Sequence, residues 1–350
     1  MDPPLQKRTL RRHDPGRVDW RRRTIVVLAT VLVVVAISIG IALATPPDLV
    51  KGAHVATTAP ATRSPAATAA STPQPPFGVQ DETIALSDPS RETSERGDAP
   101  AQSGRVLTTV IRRPEGAVGP LPLVVFAHGW NSDPHVYESL LDTWAAAGYL
   151  VAAPTFPDSA DMLPGTPVTD FPNEARDLSF LITAMLNGAA GKVDPARIAV
   201  AGHSDGGTDV AMLALNPAFA DHRIRAYVSL SSQIPGGVDG PWSAPTPGAL
   251  MVAVGTNDEY GLYPDAYQVY QSADMAKVFV STAGGDHLDT FVGTTASAIA
   301  MREETVKFLD DALGRRGATS LQLVGSLSPT GDPALVVNSP PWSMTARLLR

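Results

Sequence analysis

The chain has no cysteine among its 350 residues. Disulfides, thiolate-bound zinc, iron–sulfur clusters, a cysteine nucleophile and a lipid anchor through cysteine are thereby excluded. It also lacks an H-E-x-x-H metal motif and any internal repeat, and nothing in it implies a metal or a cofactor. Cations are scarce in most of it. The net charge is −8, yet residues 1–23 hold eight Lys/Arg against three Asp. That arm has a surplus of five positive charges, so the remainder carries the balance of thirteen negative. Neutralising phosphates needs clustered cations, so no nucleic-acid partner is expected.

Charge is absent altogether from Thr24 to Ala44, "TIVVLATVLVVVAISIGIALA". As a helix those residues would span roughly 31 Å, about the hydrocarbon thickness of a bilayer. The basic arm of residues 1–23 precedes it, which predicts a single-pass anchor with a cytoplasmic N-terminus and the main body outside the membrane. The competing reading is a signal peptide cut after Ala42-Leu43-Ala44, which would secrete the body; a signal h-region is usually about 7–15 residues, shorter than this run. Residues 45–77 turn to Ala, Thr, Ser and Pro, a composition that cannot bury enough apolar surface to fold and reads as a disordered tether.

From residue 78 the pattern is globular. Short apolar runs at Arg105–Arg112, Leu123–Phe126, Leu150–Ala153, Ile198–Ala201, Ala226–Leu230, Leu250–Val254 and Val278–Val280 read as strands. Helix-period segments fall at Val136–Ala147, Asn173–Leu186, Gly207–Ala214, Ala266–Ala276 and Phe291–Leu313. Non-alternating apolar strands that alternate with helices predict a mostly parallel sheet covered on both faces, in one α/β domain over residues 78–316. Residues 317–350 carry no pattern that assigns them a role. A monomer is expected.

Chemistry concentrates where "RIAVAGHSDGG" passes from strand to helix. G-x-S-x-G at such a junction is a nucleophile elbow, a tight turn that lifts a serine hydroxyl clear of the backbone at a helix N-terminus. Ser204 is the candidate nucleophile, and Gly202, Gly206 and Gly207 are the positions where a Cβ would collide. A serine needs a base. Of seven histidines, His287 sits in "STAGGDHLDTF", a loop between the last strand and the final helix, where catalytic groups belong in such sheets. His13 and His54 lie outside the domain, and His128, His135, His203 and His222 read as structural or solvated. Asp258 in "GTNDE", just past a strand, is the expected carboxylate partner, with Glu259 its immediate rival. Ser, Asp, His is the chain order of this elbow's partners. The oxyanion hole would use two backbone N–H groups. One is that of Asp205, after the nucleophile; the other is that of Trp130 in "AHGWN".

Together these pieces resemble the α/β-hydrolase superfamily from about Gly104 to Leu313. The closest likeness is to bacterial cutinase- and polyester-hydrolase-type esterases and lipases, and to the platelet-activating-factor acetylhydrolase and dienelactone-hydrolase groups. It rests on "PLVVFAHGW", "AAAGYLVAAPTFPDS", "RIAVAGHSDGG", "GTNDE" and "GGDHLD". The resemblance implies a Ser204–His287–Asp258 triad, oxyanion donors at Trp130 and Asp205, and an ester substrate of lipid, acyl or polyester type. It extends to "GPWSAPTPG", where Trp242 matches a cleft-lining tryptophan; packing of its own loop is the alternative. The chain departs from the pattern at Asp205, where those enzymes carry methionine or another neutral residue. It also lacks the cysteine of dienelactone hydrolases proper. Ser232 to Ala249, rich in Pro and Gly, leaves no room for a large cap domain and predicts an open cleft. Acyl transfer, thioester or amide hydrolysis, and a non-catalytic scaffold are the other readings of this fold. A haloalkane dehalogenase would need its carboxylate at the position of Ser204.

Overall fold

The computed structural model describes residues 76–315, apart from 98, 162, 244 and 245, together with residues 335–338. The apolar segment 24–44 and the tether 45–77, but for its last two residues, lie outside the described residues. Among those described, no helix is long and apolar enough to cross a membrane.

Nine strands form one sheet in the order β1-β2-β4-β3-β5-β6-β7-β8-β9. They are β1 (Val79–Asp88), β2 (Arg105–Pro114), β3 (Leu121–Ala127), β4 (Leu150–Thr155), β5 (Val193–His203), β6 (Ala226–Leu230), β7 (Ala249–Gly255), β8 (Ala276–Thr282) and β9 (Leu335–Asn338). Strands β3 to β8 pair in parallel, while β1, β2 and β9 join antiparallel. Every residue of β6 and β7 is buried, as expected of strands covered on both faces. Among the described residues the α-helices are, in chain order, α1 (Glu138–Ala146), α2 (Phe171–Leu186), α3 (Asp205–Leu215), α4 (Tyr263–Ser272), the short α5 (Asp289–Val292) and α6 (Ala296–Ala312), with a 3-10 turn at Pro134–Tyr137 before α1. Helices α2, α3 and α4 bury their apolar faces with Leu123, Val125, Val200 and Val252 on one side of the sheet. On the other side α1, α5 and α6 cover Val124, Phe126, Ala199 and Met251. Burial of this kind contributes about 25 cal/mol per Å2 of apolar surface, and it supplies most of the driving force for the layered arrangement.

Local signals set the ends of the elements. The expected helix Phe291–Leu313 is split, because Gly293 turns extended and the Thr295 hydroxyl accepts the Ala298 N–H to start α6. The Lys277 amine donates to the carbonyls of Tyr270, Gln271 and Ala273 and closes the end of α4, where the helix dipole favours a cation. Between β6 and β7 the described residues hold no helix. The functionally telling feature is register. Ala127 of β3 pairs with Gly202 of β5, and Gly255 of β7 pairs with Thr282 of β8. Four loops therefore leave the C-terminal edge of the sheet as two adjacent pairs.

Candidate active site

The first pair of loops carries the elbow. Ser204 links β5 to α3 with φ 58° and ψ −121°. That conformation costs a non-glycine residue about 1–3 kcal/mol and persists only where its surroundings impose it. The surroundings are crowded backbone. A Cβ on Gly202 would run into the Gly206 carbonyl, one on Gly206 into the Ala127 carbonyl, and one on Gly207 would stand 2.6 Å from the Leu230 oxygen. The Ser204 N–H donates to the Leu230 carbonyl at 2.9 Å, so β6 holds the turn from below.

Beside it, the loop after β3 brings Gly129 against the nucleophile; a Cβ there would lie 3.1 Å from that of Ser204. His128 braces this loop. The Phe156 N–H donates to its Nε2 at 3.0 Å, which leaves Nδ1–H to donate to the Gly129 carbonyl at 2.8 Å. Burial pushes its pKa down to about 4, so it stays neutral. Asn131, at φ 53°, anchors the far side by donating its N–H to the Ser159 carbonyl at 2.8 Å. Among the described residues the intervening Trp130 N–H has no partner. The Asp205 N–H opens α3, where a helix leaves its first donors without an intrahelical acceptor. Both N–H groups stand at the C-terminal edge of the sheet, in the loop after β3 and at the start of α3.

The second pair of loops is laced together. Asn257 donates its N–H to the Gly285 carbonyl at 2.8 Å, and Gly284 donates to the Thr256 hydroxyl at 2.8 Å. Across this contact His287 Nδ1 meets Asp258 Oδ2 at 2.8 Å, with the Asp258 side chain fully buried. The other oxygen, Oδ1, accepts the Tyr260 N–H at 3.0 Å. Glu259, the rival acid, accepts the His287 backbone N–H at 2.9 Å and not the ring. Asp286 caps Thr290 at the start of α5. The imidazole of His287 is thus oriented by one carboxylate, whose own two oxygens each have a donor.

The two loop pairs meet through His203, the residue before the nucleophile, whose ring lies 4.5 Å from that of His287. Asp205 is half-buried and accepts from the Thr169 hydroxyl at 3.3 Å; burial pushes its carboxyl up. Two large aromatics stand in solvent at the rim. Trp130 is 49% exposed, and Tyr260, 71% exposed, sets its ring edge-on to His287 at 4.6 Å. Tyr260 escaped the sequence reading because an aromatic in a polar loop carries no periodic signal. Trp242 is half-buried and packs against the core on the α2–α4 side. Among the described residues no group of three or more His, Asp or Glu is arranged to hold a metal ion. A cavity of about 340 Å3 lies elsewhere, against β2 and β4, lined by Thr93, Arg96, Gln102, Thr155 and Leu163.

Comparison with known proteins agrees with this architecture. A ferulic acid esterase from Streptomyces cinnamoneus superposes with a TM-score of 0.58 at 20% identity, over 78% of this chain and 98% of that one. Residues 92–238 match the family model named chlorophyllase. This chain is an α/β hydrolase by fold. No curated protein matches it. The family match takes in the strand and loop of Gly129 and the whole elbow of this α/β hydrolase. It ends before Asp258 and His287, so those two rest on the geometry described above.

Proposed function

We propose that the chain is a serine hydrolase of carboxylic esters. The observation that carries this reading is the 2.8 Å contact between His287 and the buried Asp258, set beside a serine in a strained elbow. Ser204 Oγ attacks the ester carbonyl as His287 Nε2 takes its proton, and the N–H groups of Trp130 and Asp205 hold the oxyanion. The intermediate collapses, His287 returns the proton to the leaving alkoxide, and water attacks the acyl-serine by the same route in reverse. Asp258 keeps the proton of neutral His287 on Nδ1 and stabilises the imidazolium. Each oxyanion donor of this kind is worth about 3–4 kcal/mol in acyl transfer.

Exposed Trp130 and Tyr260 favour flat or long apolar acyl groups, through apolar contact with their rings. The likeness to a ferulic acid esterase points the same way. Trp242 is a weaker candidate for such contact because much of it is packed inward. The run 24–44 supports a further proposal, that the enzyme is tethered to the outer face of a membrane. Carbonate-washed membranes should retain the full-length chain; recovery in the medium of a form starting near residue 45 would replace the tether by secretion.

The deciding experiment uses the full-length chain on p-nitrophenyl acetate, butyrate, octanoate and palmitate and on a methyl hydroxycinnamate. Turnover abolished by a fluorophosphonate, and lowered on the order of 10^4-fold in Ser204→Ala, is the expected result. Turnover surviving in Ser204→Ala would overturn the assignment.

A further inference from the structure

One buried histidine, the residue before Ser204, links the loop after β3 to the loop that carries His287. His203 donates through Nε2–H to the His287 backbone carbonyl at 2.8 Å. Its Nδ1 lies 3.0 Å from the Tyr137 hydroxyl. That hydroxyl accepts the Gly129 N–H at 3.2 Å. Both ends of this chain are fixed in sense, because a carbonyl only accepts and a backbone N–H only donates. For a neutral imidazole, which already spends its one N–H on the His287 carbonyl, the arrangement between them is the one in which Tyr137 donates to Nδ1. Burial supports it, pushing His203 down to about 3 and the Tyr137 phenol up to about 12.

We infer that His203 is a positioning residue, which with Tyr137 sets the oxyanion loop, the nucleophile and the general base relative to one another through one line of hydrogen bonds. The inference rests on the esterase reading of the same site. Gly129 at one end abuts Ser204 and precedes Trp130. His203 is covalently joined to Ser204. At the other end His287 is held through its carbonyl by His203 and through its N–H by Glu259, so its backbone has little freedom to shift. The ring of His203 also packs on those of His287, Tyr137 and Phe291, at 4.5, 5.5 and 5.3 Å. Misplacing reacting groups by about 1 Å can cost on the order of 100-fold in rate, and this relay fixes three of them at once.

The test compares Tyr137→Phe, His203→Phe, His203→Gln and the double variant Tyr137→Phe/His203→Phe in the full-length chain. Tyr149→Phe is the control; it removes a buried hydroxyl bonded to Asp310, far from the loops. Kinetics are normalised to active sites titrated with a fluorophosphonate. Expected are a roughly 10-fold loss of kcat in Tyr137→Phe and up to about 100-fold in His203→Phe, with KM within twofold. His203→Gln, which keeps an N–H for the His287 carbonyl, should recover part of the loss. The double variant should be no slower than His203→Phe, since both substitutions cut one line. Losses that multiply in the double variant, or unchanged kcat in His203→Phe, would overturn the relay. So would a glutamine no better than phenylalanine. Should Tyr137→Phe fail to fold, the phenylalanine–glutamine comparison decides alone. Ser204→Ala separates the two levels: activity there defeats the esterase reading, whereas a dead Ser204→Ala beside fully active relay variants defeats only the relay.

Discussion

Two sets of buried carboxylates lie on either side of the elbow, and they are built on opposite principles. Beside His287, each oxygen of Asp258 has its own donor, the imidazole on one side and the Tyr260 N–H on the other. Between α2 and α3, Glu174 and Asp209 are fully buried, with each other and the Ser159 hydroxyl beside them and no cation or backbone N–H on either carboxylate. Burial, with Asp170 and Asp205 as negative neighbours, pushes Glu174 up to about 8. Burial and the Glu174 charge hold Asp209 well above the ordinary carboxylate range. A third arrangement stands between them. Fully buried Arg105 reaches Asp177 at 2.7 Å, Asp158 at 2.7 Å and Asp170 at 3.1 Å, and Arg91 adds a second cation on Asp177 at 2.6 Å. The comparison teaches that donors decide a buried acid's form. Asp258 has a donor on each oxygen; burial still raises Asp177 and Asp170 while Arg105 offsets part of that rise; the Glu174–Asp209 pair, with no cation, must keep a proton.

The sharpest way to break the contrast is to neutralise the acid that is meant to be charged. Asp258→Asn should keep the fold and lower kcat by about 10^3–10^4-fold, because an amide offers His287 the wrong partner and tautomer; circular dichroism and steady-state rates check it together. Next in size is the ionic hub. Arg105→Met removes the cation and leaves three acids facing one another, a loss of about 3–5 kcal/mol in unfolding free energy by urea titration. Activity per folded molecule should change little.

A smaller effect sharpens the other side. Glu174 has a folded-state pKa above its unfolded value of 4.5, so between about pH 4.5 and 8 the native state binds more protons than the unfolded chain. Stability from this group is therefore full below pH 4.5 and falls as pH rises through about 8. Glu174→Gln should flatten that slope, read from urea midpoints at intervals across the window; a slope left unchanged would contradict the shared proton. The smallest change is expected from Asp205→Asn. The oxyanion N–H belongs to the backbone and survives, so neutral esters should react within a few-fold of the parent. Esters with an anionic acyl group should gain a few-fold in kcat/KM once the carboxylate is gone.

The legible parts of the sequence were those where chemistry and periodicity coincide. All seven expected strands exist, and Ala226–Leu230 has the expected bounds, because a parallel core strand is apolar from end to end. The elbow was legible too, since crowded backbone on both sides leaves glycine as the fitting residue. Strand β1, "VQDETIALSD", went unseen because it is an edge strand with most of its side chains in solvent, so no apolar run marks it. The start of β5 was missed for the same reason; "VDPAR" is half-exposed and contains proline. Strand β9 lies in the patternless segment 317–350. In the site, Asp258 was preferred over Glu259 on the sequence alone, and the loop geometry shows Asp258 on the His287 ring and Glu259 on the His287 backbone N–H. His203 read as structural, and its bonds to two separate segments, at Tyr137 and His287, were invisible until strand register brought β3, β5 and β8 to one edge.

The direction of β5 has a practical side. The strand runs from Val193 to His203, so Lys192 and Ser204 stand at opposite ends of it, about 35 Å apart along the backbone. Of the three described lysines, Lys277 is spent on α4 carbonyls and Lys307 on Glu304 at 2.6 Å, while Lys192 is exposed. An amine-reactive support that couples to this domain at Lys192 will hold it by the face away from the elbow, with the proposed site turned outward.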